Sequence, residues 1–413
     1  MAKRTIDEIA VKNRRVLMRV DFNVPLENGA ITDDRRIASA LESIRSVVDR
    51  NGMLILMSHL GRPKGQPEPG SSLRPVAERL DKLIARPVGF TEDCIGAERD
   101  RAVQAMRPGD VLLLENLRFH AAETLIDKAR KNSGGVPTDR QLGEIRGFAT
   151  GLATHADLFC NNAFGTCHRK HVSMYDVPLL LGPGKRVCGH LVRKELRFLG
   201  EALEKPERPF VAILGGAKVS DKISVIEHLL SKADSVLIAG AMSFTFFAAR
   251  GASVGRSLCE RDALHLARRL MDQAGEKLHL PLDTVCAAKI ERGAATSIST
   301  VDIDDDLIGL DIGPATVKAY RETIASAKTI VWNGPAGVFE TPPFDHGTVA
   351  IARAVAEATG NGATTIIGGG DSAAAVEAAG LADRMTHIST GGGASLEFLQ
   401  GRPFDTIELL DEA

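Results

Sequence analysis

The chain has 413 residues, and at roughly 150 residues per domain this length predicts two or three structural units. The hydrophobic fraction is 44% and the charged fraction 25%, which are globular values and argue against disorder. The 51 Lys and Arg nearly balance the 53 Asp and Glu, leaving a formal net charge of -2. A chain this balanced has no overall attraction to nucleic acid or membranes, so we expect neither as a partner.

The N-terminus and the cysteines indicate the cellular compartment in which we expect the protein. Residues 1–15 are basic but lack an apolar core, so we expect no secretory signal. No apolar run approaches the roughly 18–20 residues of a membrane span. The six cysteines include no CxxC pair, which is typical of reduced thiols in a cytoplasmic protein. The run of Cys and His at 160–171 lacks the paired spacing of metal ligands, so we do not expect a metal there.

Short apolar runs alternate with longer amphipathic stretches along the chain. The runs are rich in branched residues and mostly end in Gly, Asn, Asp or His, which is typical of strands buried on both faces. In chain order they are 15–22, 53–58, 111–114, 156–159, 210–214, 235–239, 329–332 and 364–367. Helical spacing follows at 37–48 and at 223–230, where Asp221 is a candidate N-cap. The alternation predicts an α/β fold with parallel sheets.

Eight or more such strands suit two doubly wound domains better than one sheet. The alternative is a single (β/α)8 barrel, because barrels routinely exceed about 250 residues. Two domains are favoured because Arg-rich strand ends fill the first half and Gly-rich ends the second. A long helical stretch from Cys188 to Leu203 separates the halves. We therefore predict two Rossmann-like, doubly wound parallel-sheet domains with a helical connector and a boundary near Gly189, which gives 1–188 for the first domain and a second domain from 189 onward.

The segment 121–146 stands apart from this alternation. It carries Lys128, Arg130 and Lys131, followed by the turn signals of residues 133–137. These signals predict a solvated loop. A surface insertion without function is the favoured interpretation, although loops also concentrate function.

The strand ends of the first half carry cationic and polar side chains. Ligands of open parallel sheets collect at these carboxyl ends. Arginine suits phosphate because its planar fork donates two parallel charge-assisted hydrogen bonds. One such Arg is more simply a solvated surface charge, but the set recurs at equivalent strand ends and predicts a site for a small polyanion. Its cationic and polar members include Asp21, Asn23, Arg35, Arg36, His59, Arg62, Arg118, His120, His168 and Arg169.

The strand ends of the second half are glycine-rich, at 214–222, 239–242, 368–372 and 391–395. Glycine lets the backbone approach a phosphate, and the following helix N-terminus supplies free N–H groups, which predicts a nucleotide site. Neither the P-loop nor the dinucleotide fingerprint occurs. Lys218 and Lys222 would share a helix face if the helix has begun. Asp371 is either a ligand of a nucleotide-bound magnesium ion or an ordinary helix N-cap.

An anion site and a nucleotide site in one chain are joined most simply by phosphoryl transfer. That reaction needs positioning and charge neutralisation more than a nucleophilic side chain. No convincing Ser-His-Asp or Cys-His set occurs, which agrees with this interpretation.

Nine motifs resemble, in order, those of the phosphoglycerate kinases. They are RVDFNVP at 19–25, HLGRP at 59–63, ENLRF at 115–119, AFGTCHR at 163–169, GGAKVSDK at 215–222, DIGP at 311–314, WNGPAGVFE at 332–340, GGGDS at 368–372 and STGGGASLE at 389–397. The resemblance spans nearly the whole chain. It implies two doubly wound domains, 1–188 and 189–392, joined by a helical hinge. It also implies a C-terminal segment, 393–413, that packs back toward the hinge and the N-terminal domain.

The resemblance also implies an activity and a set of site residues. The N-terminal domain would bind 3-phosphoglycerate or 1,3-bisphosphoglycerate and the C-terminal domain Mg-ADP or Mg-ATP, in a monomer whose hinge closes on its substrates. The residues implied for the triose phosphate are Asp21, Asn23, Arg36, His59, Leu60, Gly61, Arg62, Arg118 and Arg169. Those implied for the nucleotide are Gly215, Lys218, Lys222, Gly309, Asn333, Glu340, Gly369, Gly370, Asp371 and Ser372. Arg36, Lys218 and Lys222 are implied as catalytic groups, and Asp371 as the magnesium ligand.

The chain departs from the family pattern in a few places. Asn162 stands where the family usually has Asp, and residues 171–176 differ from the usual small residues. Every charged contact residue is present, so the departures bear on efficiency and substrate preference rather than on reaction class. Two alternatives remain at this point. One is a non-catalytic or altered-substrate paralogue that retains nucleotide binding. The other is a nicotinamide-dependent oxidoreductase, against which the missing dinucleotide fingerprint argues.

Overall fold

The structure is a computed structural model that describes residues 2–127, 136–300 and 302–413. The chain separates into two compact units, one of Met1–Leu196 with Pro403–Ala413 and the other of Arg197–Arg402. The division falls within the helix His190–Glu204, where the sequence predicts the connector. The predicted boundary at 188/189 lies just before this helix. Residues 393–402, predicted as part of the C-terminal segment, lie in the second unit.

The described part of the first unit contains a six-stranded parallel sheet with strand order β5-β6-β4-β1-β7-β8. The four inner strands match predicted apolar runs, and every residue of β4, β6 and β7 is buried. The two edge strands were missed because they are short, and β5 is half-exposed and contains Gly89. The strands are β1 Arg15–Val20, β4 Met53–Met57, β5 Val88–Thr91, β6 Val111–Leu114, β7 Leu158–Asn162 and β8 Arg186–Cys188, and β2 Leu26–Glu27 pairs with β3 Ala30–Ile31 in a hairpin.

Amphipathic helices cover this sheet. The helix Arg74–Ile84, for example, buries Val76, Leu80 and Ile84 at helical spacing. The α-helices are Arg35–Ala38, Leu41–Val48, Arg74–Ile84, Ala97–Ala105, Asp139–Ala153, Asp176–Leu181, His190–Glu204 and Asp405–Glu408. The 3₁₀ turns are Ile6–Glu8, Pro69–Ser71, Leu117–Phe119, Ala121–Thr124 and Phe164–Thr166.

The described part of the second unit repeats the plan with a six-stranded parallel sheet of order β11-β10-β9-β15-β16-β17. A separate three-stranded antiparallel sheet, β13-β12-β14, was not predicted. The strands are β9 Phe210–Leu214, β10 Ser235–Ile238, β11 Leu278–His279, β12 Thr284–Ala287, β13 Ser297–Ser299, β14 Ile308–Ile312, β15 Thr329–Asn333, β16 Thr364–Gly368 and β17 His387–Ile388. Two open sheets confirm the predicted fold class and exclude the single barrel.

The helices of the second unit follow the strands in the expected alternation. The helix Ile223–Lys232 has Lys222 at its N-cap position, so the prediction of Asp221 as the cap is wrong by one residue. The α-helices are Ile223–Lys232, Met242–Ala249, Leu264–Ala274, Pro314–Ser326, His346–Gly360, Gly370–Ala378 and Gly393–Phe398, and the 3₁₀ turns are Arg261–Ala263, Gly275–Lys277 and Ala382–Arg384. No helix in the described parts of the chain is long and apolar enough to cross a membrane.

The predicted loop at 121–146 is wrong over residues 139–146. The helix Asp139–Ala153 begins there, because Thr138 and Gln141 form a reciprocal capping box. The Thr138 side chain accepts a hydrogen bond from the Gln141 backbone, and the Gln141 side chain accepts one from the Thr138 backbone. The basic residues Lys128, Arg130 and Lys131 and the turn residues 133–135 lie outside the described residues.

Asn162 ends β7 and contacts the first turn of the helix His190–Glu204. Its Oδ1 accepts hydrogen bonds from the Ser43 hydroxyl (3.1 Å) and from the Leu191 backbone N–H (3.1 Å). A Cβ on Gly189 would overlap this side chain, so glycine is required there. The Asn162 amide oxygen thus serves as a hydrogen-bond acceptor at this helix N-terminus.

Candidate active site

The polyanion residues of the first unit lie at the carboxyl edge of its sheet. β1 and β4 run side by side, with Arg19 opposite Met57, so the residues that follow each strand come close together. Asp21 forms an ion pair with Arg36, which stands in the short helix after β1. The His59 Nε2 lies 4.0 Å from the Asp21 Oδ1. Three of the predicted residues are thereby brought into one cluster.

The loop after β4 ties further predicted residues to this cluster. Gly61 adopts a left-handed conformation, with φ of 63°, which glycine accepts without steric cost. Its N–H donates to the Asn23 Oδ1 (2.8 Å), and its carbonyl accepts from the Arg118 Nη1 (2.6 Å). Leu60 is buried, and its carbonyl accepts from the Asn116 Nδ2 (2.7 Å). The Leu60 side chain therefore anchors the loop instead of facing a ligand.

The remaining arginines differ in how they are held. Burial, followed by the positive charge of Arg19, lowers the pKa of Arg118 to about 10, so this guanidinium stays charged at neutral pH. The Arg169 Nε donates to the His168 Nε2 (3.0 Å), and its Nη1 lies 3.8 Å from the Asp127 Oδ2. Arg62 is exposed. The edge is therefore strongly cationic.

The second unit contains a cavity of about 330 Å³ at the glycine-rich ends of its strands. Of the predicted nucleotide residues, Gly309, Glu340 and Asp371 line it. The cavity also has an apolar wall that was not predicted from the sequence, built by Phe244, Leu258, Ile290, Leu310, Pro335 and Val338. Pro335 and Val338 stand inside the WNGPAGVFE motif, which was the available signal. The others come from elements far apart in the chain.

Two glycines are required by close packing at this cavity. A Cβ on Gly309 would overlap the ring of Phe244, and a Cβ on Gly215 would overlap the carbonyl oxygen of Pro335. The N–H of Gly215 donates to the Asn333 carbonyl (3.0 Å), which joins the ends of β9 and β15. Glycine is therefore required at these two positions because the segments around the cavity pack too closely for a side chain.

Lys222 is the central cation of this edge. Its Nζ donates to the carbonyl oxygen (3.1 Å) and to the Oδ1 (2.5 Å) of Asn333. Burial lowers the pKa of Lys222 to about 8, against the opposing effect of the Asp371 carboxylate. Lys218 is exposed, and because the helix begins only at Ile223, the expectation that Lys218 and Lys222 share a helix face is wrong.

The loop at 368–372 leads into the helix Gly370–Ala378. Gly369 is the N-cap residue, with φ of 92°, so the alternative of Asp371 as the N-cap is wrong. Asp371 lies in the first helical turn with its side chain exposed at the cavity wall. Ser372 is fully buried, and its Oγ accepts a hydrogen bond from the Gly334 N–H (2.6 Å). Ser372 therefore fixes the neighbouring loop, and the Asp371 carboxylate stays open to a ligand.

Two doubly wound units, one with a cationic strand edge and one with a glycine-walled cavity, define a small-molecule phosphotransferase. Comparison with known proteins gives the family. The phosphoglycerate kinase family model matches residues 6–402. The phosphoglycerate kinases of Chloroherpeton thalassium and Rhodopirellula baltica are 51% and 53% identical to the chain, over 100% of both sequences in each case. The chain belongs to the phosphoglycerate kinase family.

Solved structures agree with this assignment. The phosphoglycerate kinase of Coxiella burnetii superposes with a TM-score of 0.84 at 36% identity, and that of Pyrococcus horikoshii with 0.80 at 28% identity. Each alignment covers 98% of both chains. The chain is thus a kinase with a carboxyl group as acceptor. It transfers a phosphoryl group reversibly between 1,3-bisphosphoglycerate with ADP and 3-phosphoglycerate with ATP, a reaction of glycolysis. The alternative of a non-catalytic paralogue receives no support.

Proposed function

We propose that the first unit binds the three-carbon acid at its cationic edge. The edge carries four arginines, Arg36, Arg62, Arg118 and Arg169, together with the His59 ring. Asp21 lies beside them and is already paired with Arg36. A phosphorylated acid would supply the negative charge that this edge lacks. The residues proposed to hold or frame it are Asp21, Asn23, Arg36, His59, Leu60, Gly61, Arg62, Arg118 and Arg169.

We propose that the second unit binds the nucleotide in its cavity. The apolar wall with Phe244 suits a base, and the exposed carboxylate of Glu340 suits the ribose hydroxyls. The phosphates would extend toward Lys222 and the N-terminus of the helix Gly370–Ala378, which favours anions. The remaining residues proposed for this site are Gly215, Lys218, Gly309, Asn333, Gly369, Gly370 and Ser372.

We propose Asp371 as the protein ligand of a nucleotide-bound Mg²⁺. Mg²⁺ is held in such sites by one or two carboxylates together with substrate phosphates, and an exposed carboxylate on the cavity wall fits that role. When bound, the ion would neutralise phosphate charge. The single observation that carries the proposed site is the exposed carboxylate of Asp371 on the cavity wall, whose charge also acts on the buried ammonium of Lys222.

The proposed chemistry needs no general base. A carboxylate acceptor with a pKa near 4 is already ionised at neutral pH. The chain's contribution is then to orient the acceptor and to place positive charge around the transferred oxygens. We propose Arg36, Lys218 and Lys222 for that charge.

Replacing Asp371 with Asn tests this proposal. We expect D371N to weaken ATP binding about 10- to 100-fold when Mg²⁺ is present, the usual scale for damage to a metal site. Binding of ATP in excess chelator should change little. Isothermal titration with and without Mg²⁺ measures both values. Asp383→Asn, an exposed substitution in the same unit, is the matched control. An equal loss in both conditions would refute the magnesium role.

We further propose that the chain is a cytoplasmic monomer that does not bind nucleic acid. All six cysteines are free in the described residues, as in proteins of reducing compartments. The formal net charge of -2 provides no basic surface excess for nucleic acid. Sedimentation of the purified chain at the mass of a dimer would contradict the monomer.

A further inference from the structure

Arg19 is a fully buried cation behind the cationic edge, and the proposed function gives it no role. Its side chain is 0% exposed, which is rare for arginine. The Nε donates to the Ser173 Oγ (3.0 Å), the Nη2 contacts the His59 Nδ1 (3.0 Å), and the Nη1 donates to the Val20 carbonyl. A buried charge with directed contacts of this kind fixes the groups around it.

The contact between Arg19 and His59 decides the state of the imidazole. A guanidinium has five N–H donors and no acceptor, and it stays charged in proteins. The His59 Nδ1, at 3.0 Å from the Nη2, must therefore accept a hydrogen bond and carry no proton. A ring without a proton on Nδ1 is neutral and carries its proton on Nε2. That nitrogen is the one that faces Asp21 at the proposed site.

The charges around His59 also favour a neutral imidazole. Burial, with the positive charge of Arg19 next in size, lowers the pKa of His59 well below its ordinary value. Asp21 opposes this effect, but its Oδ1 is 4.0 Å away and its Oδ2 is paired with Arg36. The positive and titratable groups that face the ring come from four elements and are Arg19 on β1, Arg36 after β1, Arg118 after β6 and His171 after β7.

Arg19 is itself held by a buried carboxylate. Glu123 is 1% exposed, and its Oε1 accepts from the Ser173 Oγ (2.7 Å) while its Oε2 accepts from the Ser173 N–H (3.0 Å). Because the Ser173 hydroxyl donates to Glu123, its lone pairs are free to accept from Arg19. Arg19 therefore donates on both sides, to His59 and to Ser173, and the Ser173 hydroxyl donates in turn to Glu123. The buried carboxylate also balances the charge of the guanidinium.

We propose that Arg19 is a positioning residue that holds His59 as a neutral imidazole protonated on Nε2, which donates one hydrogen bond to the bound three-carbon acid. The inference rests on the proposed function, because it takes the substrate to bind at this edge. His59 would then recognise an anionic oxygen without gaining or losing a proton. Its contribution to substrate binding would be the same at every pH between about 5.5 and 8, where a free imidazole titrates.

The first test is nuclear magnetic resonance of the full-length chain with ¹⁵N-labelled histidine, in which the His59 signals are those absent from H59Q. We expect the chemical shifts of a neutral ring protonated on Nε2 from about pH 5.5 to 8. A ring that becomes doubly protonated in this range, or that carries its proton on Nδ1, overturns the inference whatever the substrate affinity.

The second test compares two amides in place of His59. The Gln amide reaches the Nε2 position and donates there, whereas the shorter Asn amide reaches only the Nδ1 position. We expect H59N to raise the KM for 3-phosphoglycerate about tenfold, roughly the contribution of one hydrogen bond, and H59Q to raise it less. The ratio of the H59Q and wild-type KM values should stay constant from about pH 6 to 8.5. A ratio that grows as the pH falls would indicate an imidazolium and overturn the inference.

The third test addresses Arg19 itself. We expect R19K, which keeps a charged donor, to retain the Nε2-protonated ring, and R19M to give a mixture of the two neutral forms with a KM about tenfold higher. If the protonation state of His59 were unchanged in a folded R19M protein, Arg19 would not be a positioning residue. If R19M does not fold, the first two tests still decide the state of His59. If the ring is neutral as expected but neither amide alters KM, the proposed substrate site at His59 is wrong. The inferred protonation of His59 on Nε2 is then still correct.

Discussion

Replacing Arg36 with Ala is expected to lower kcat about 10²- to 10³-fold and to leave the affinity for ATP unchanged. This loss is typical when one charge-stabilising donor is removed from a transition state. Arg36 makes an ion pair with Asp21, and its side chain is 40% exposed. Such a pair contributes on the order of 1 kcal/mol or less to stability. The variant should therefore fold normally while losing the donor.

Steady-state kinetics and ATP titration of R36A separate the two effects. Arg35 is the matched control, because it stands next to Arg36 in the same short helix and pairs with Asp33 at the surface. We expect R35A to keep its kcat. Losses of similar size in turnover and in ATP affinity for R36A would mean that Arg36 is structural, and they would remove it from the proposed catalytic set.

The central strands and their ends could be predicted from the sequence for a physical reason. A strand buried on both faces needs a continuous apolar run, as in Met53–Met57 and Phe210–Leu214. Once such runs are found, the residues after them are placed at one edge of a parallel sheet. This is how His59 and Gly215 could be assigned to two edges without coordinates.

The edge strands and the antiparallel sheet gave no comparable signal. Val88–Thr91 is short and half-exposed, and Leu278–His279 and His387–Ile388 have only two residues each. Such segments are strands because a neighbour pairs with them and not because of their own pattern. Asp221 and Asp371 were candidate N-caps because Asp is a strong N-cap by residue type, but Lys222 and Gly369 occupy the N-cap positions of these two helices.

The buried hydrogen bonds that orient the site residues were the feature least predictable from the sequence. Arg19 stands in the RVDFNVP motif, but residue type alone assigns an arginine to the surface. Its partner Ser173 is 154 residues away in the chain, and Glu123 joins them from a third segment. Only the fold brings these groups together. Sequence reasoning could therefore name the ligand-facing residues but not the buried hydrogen bonds that orient them.

Lys222 is expected to make nucleotide use dependent on pH. Its pKa of about 8 in the folded chain means that the ammonium is charged below pH 8 and neutral above it. We expect kcat/KM for ATP to fall as the pH rises through about 8, since a neutral amine attracts phosphate poorly. At saturating nucleotide the fall should move to higher pH, because bound phosphates favour the charged form. Lys222→Met should lose about 10²–10³ in kcat/KM at neutral pH and show no such fall.

The lowered pKa of Lys222 also makes the stability of the folded chain increase with pH. The folded-state pKa of Lys222 lies below the ordinary value of 10.5, so the charged form is disfavoured in the folded chain. That cost is fully present below pH 8 and disappears as the pH rises from about 8 to 10.5. The wild type should therefore gain stability over this interval relative to K222M in denaturant unfolding. Lys328→Met is the matched control, because Lys328 is exposed at the opposite end of β15 from Asn333. If K328M removed the pH dependence, or K222M kept it, another group would be titrating and Lys222 would lose its assigned role.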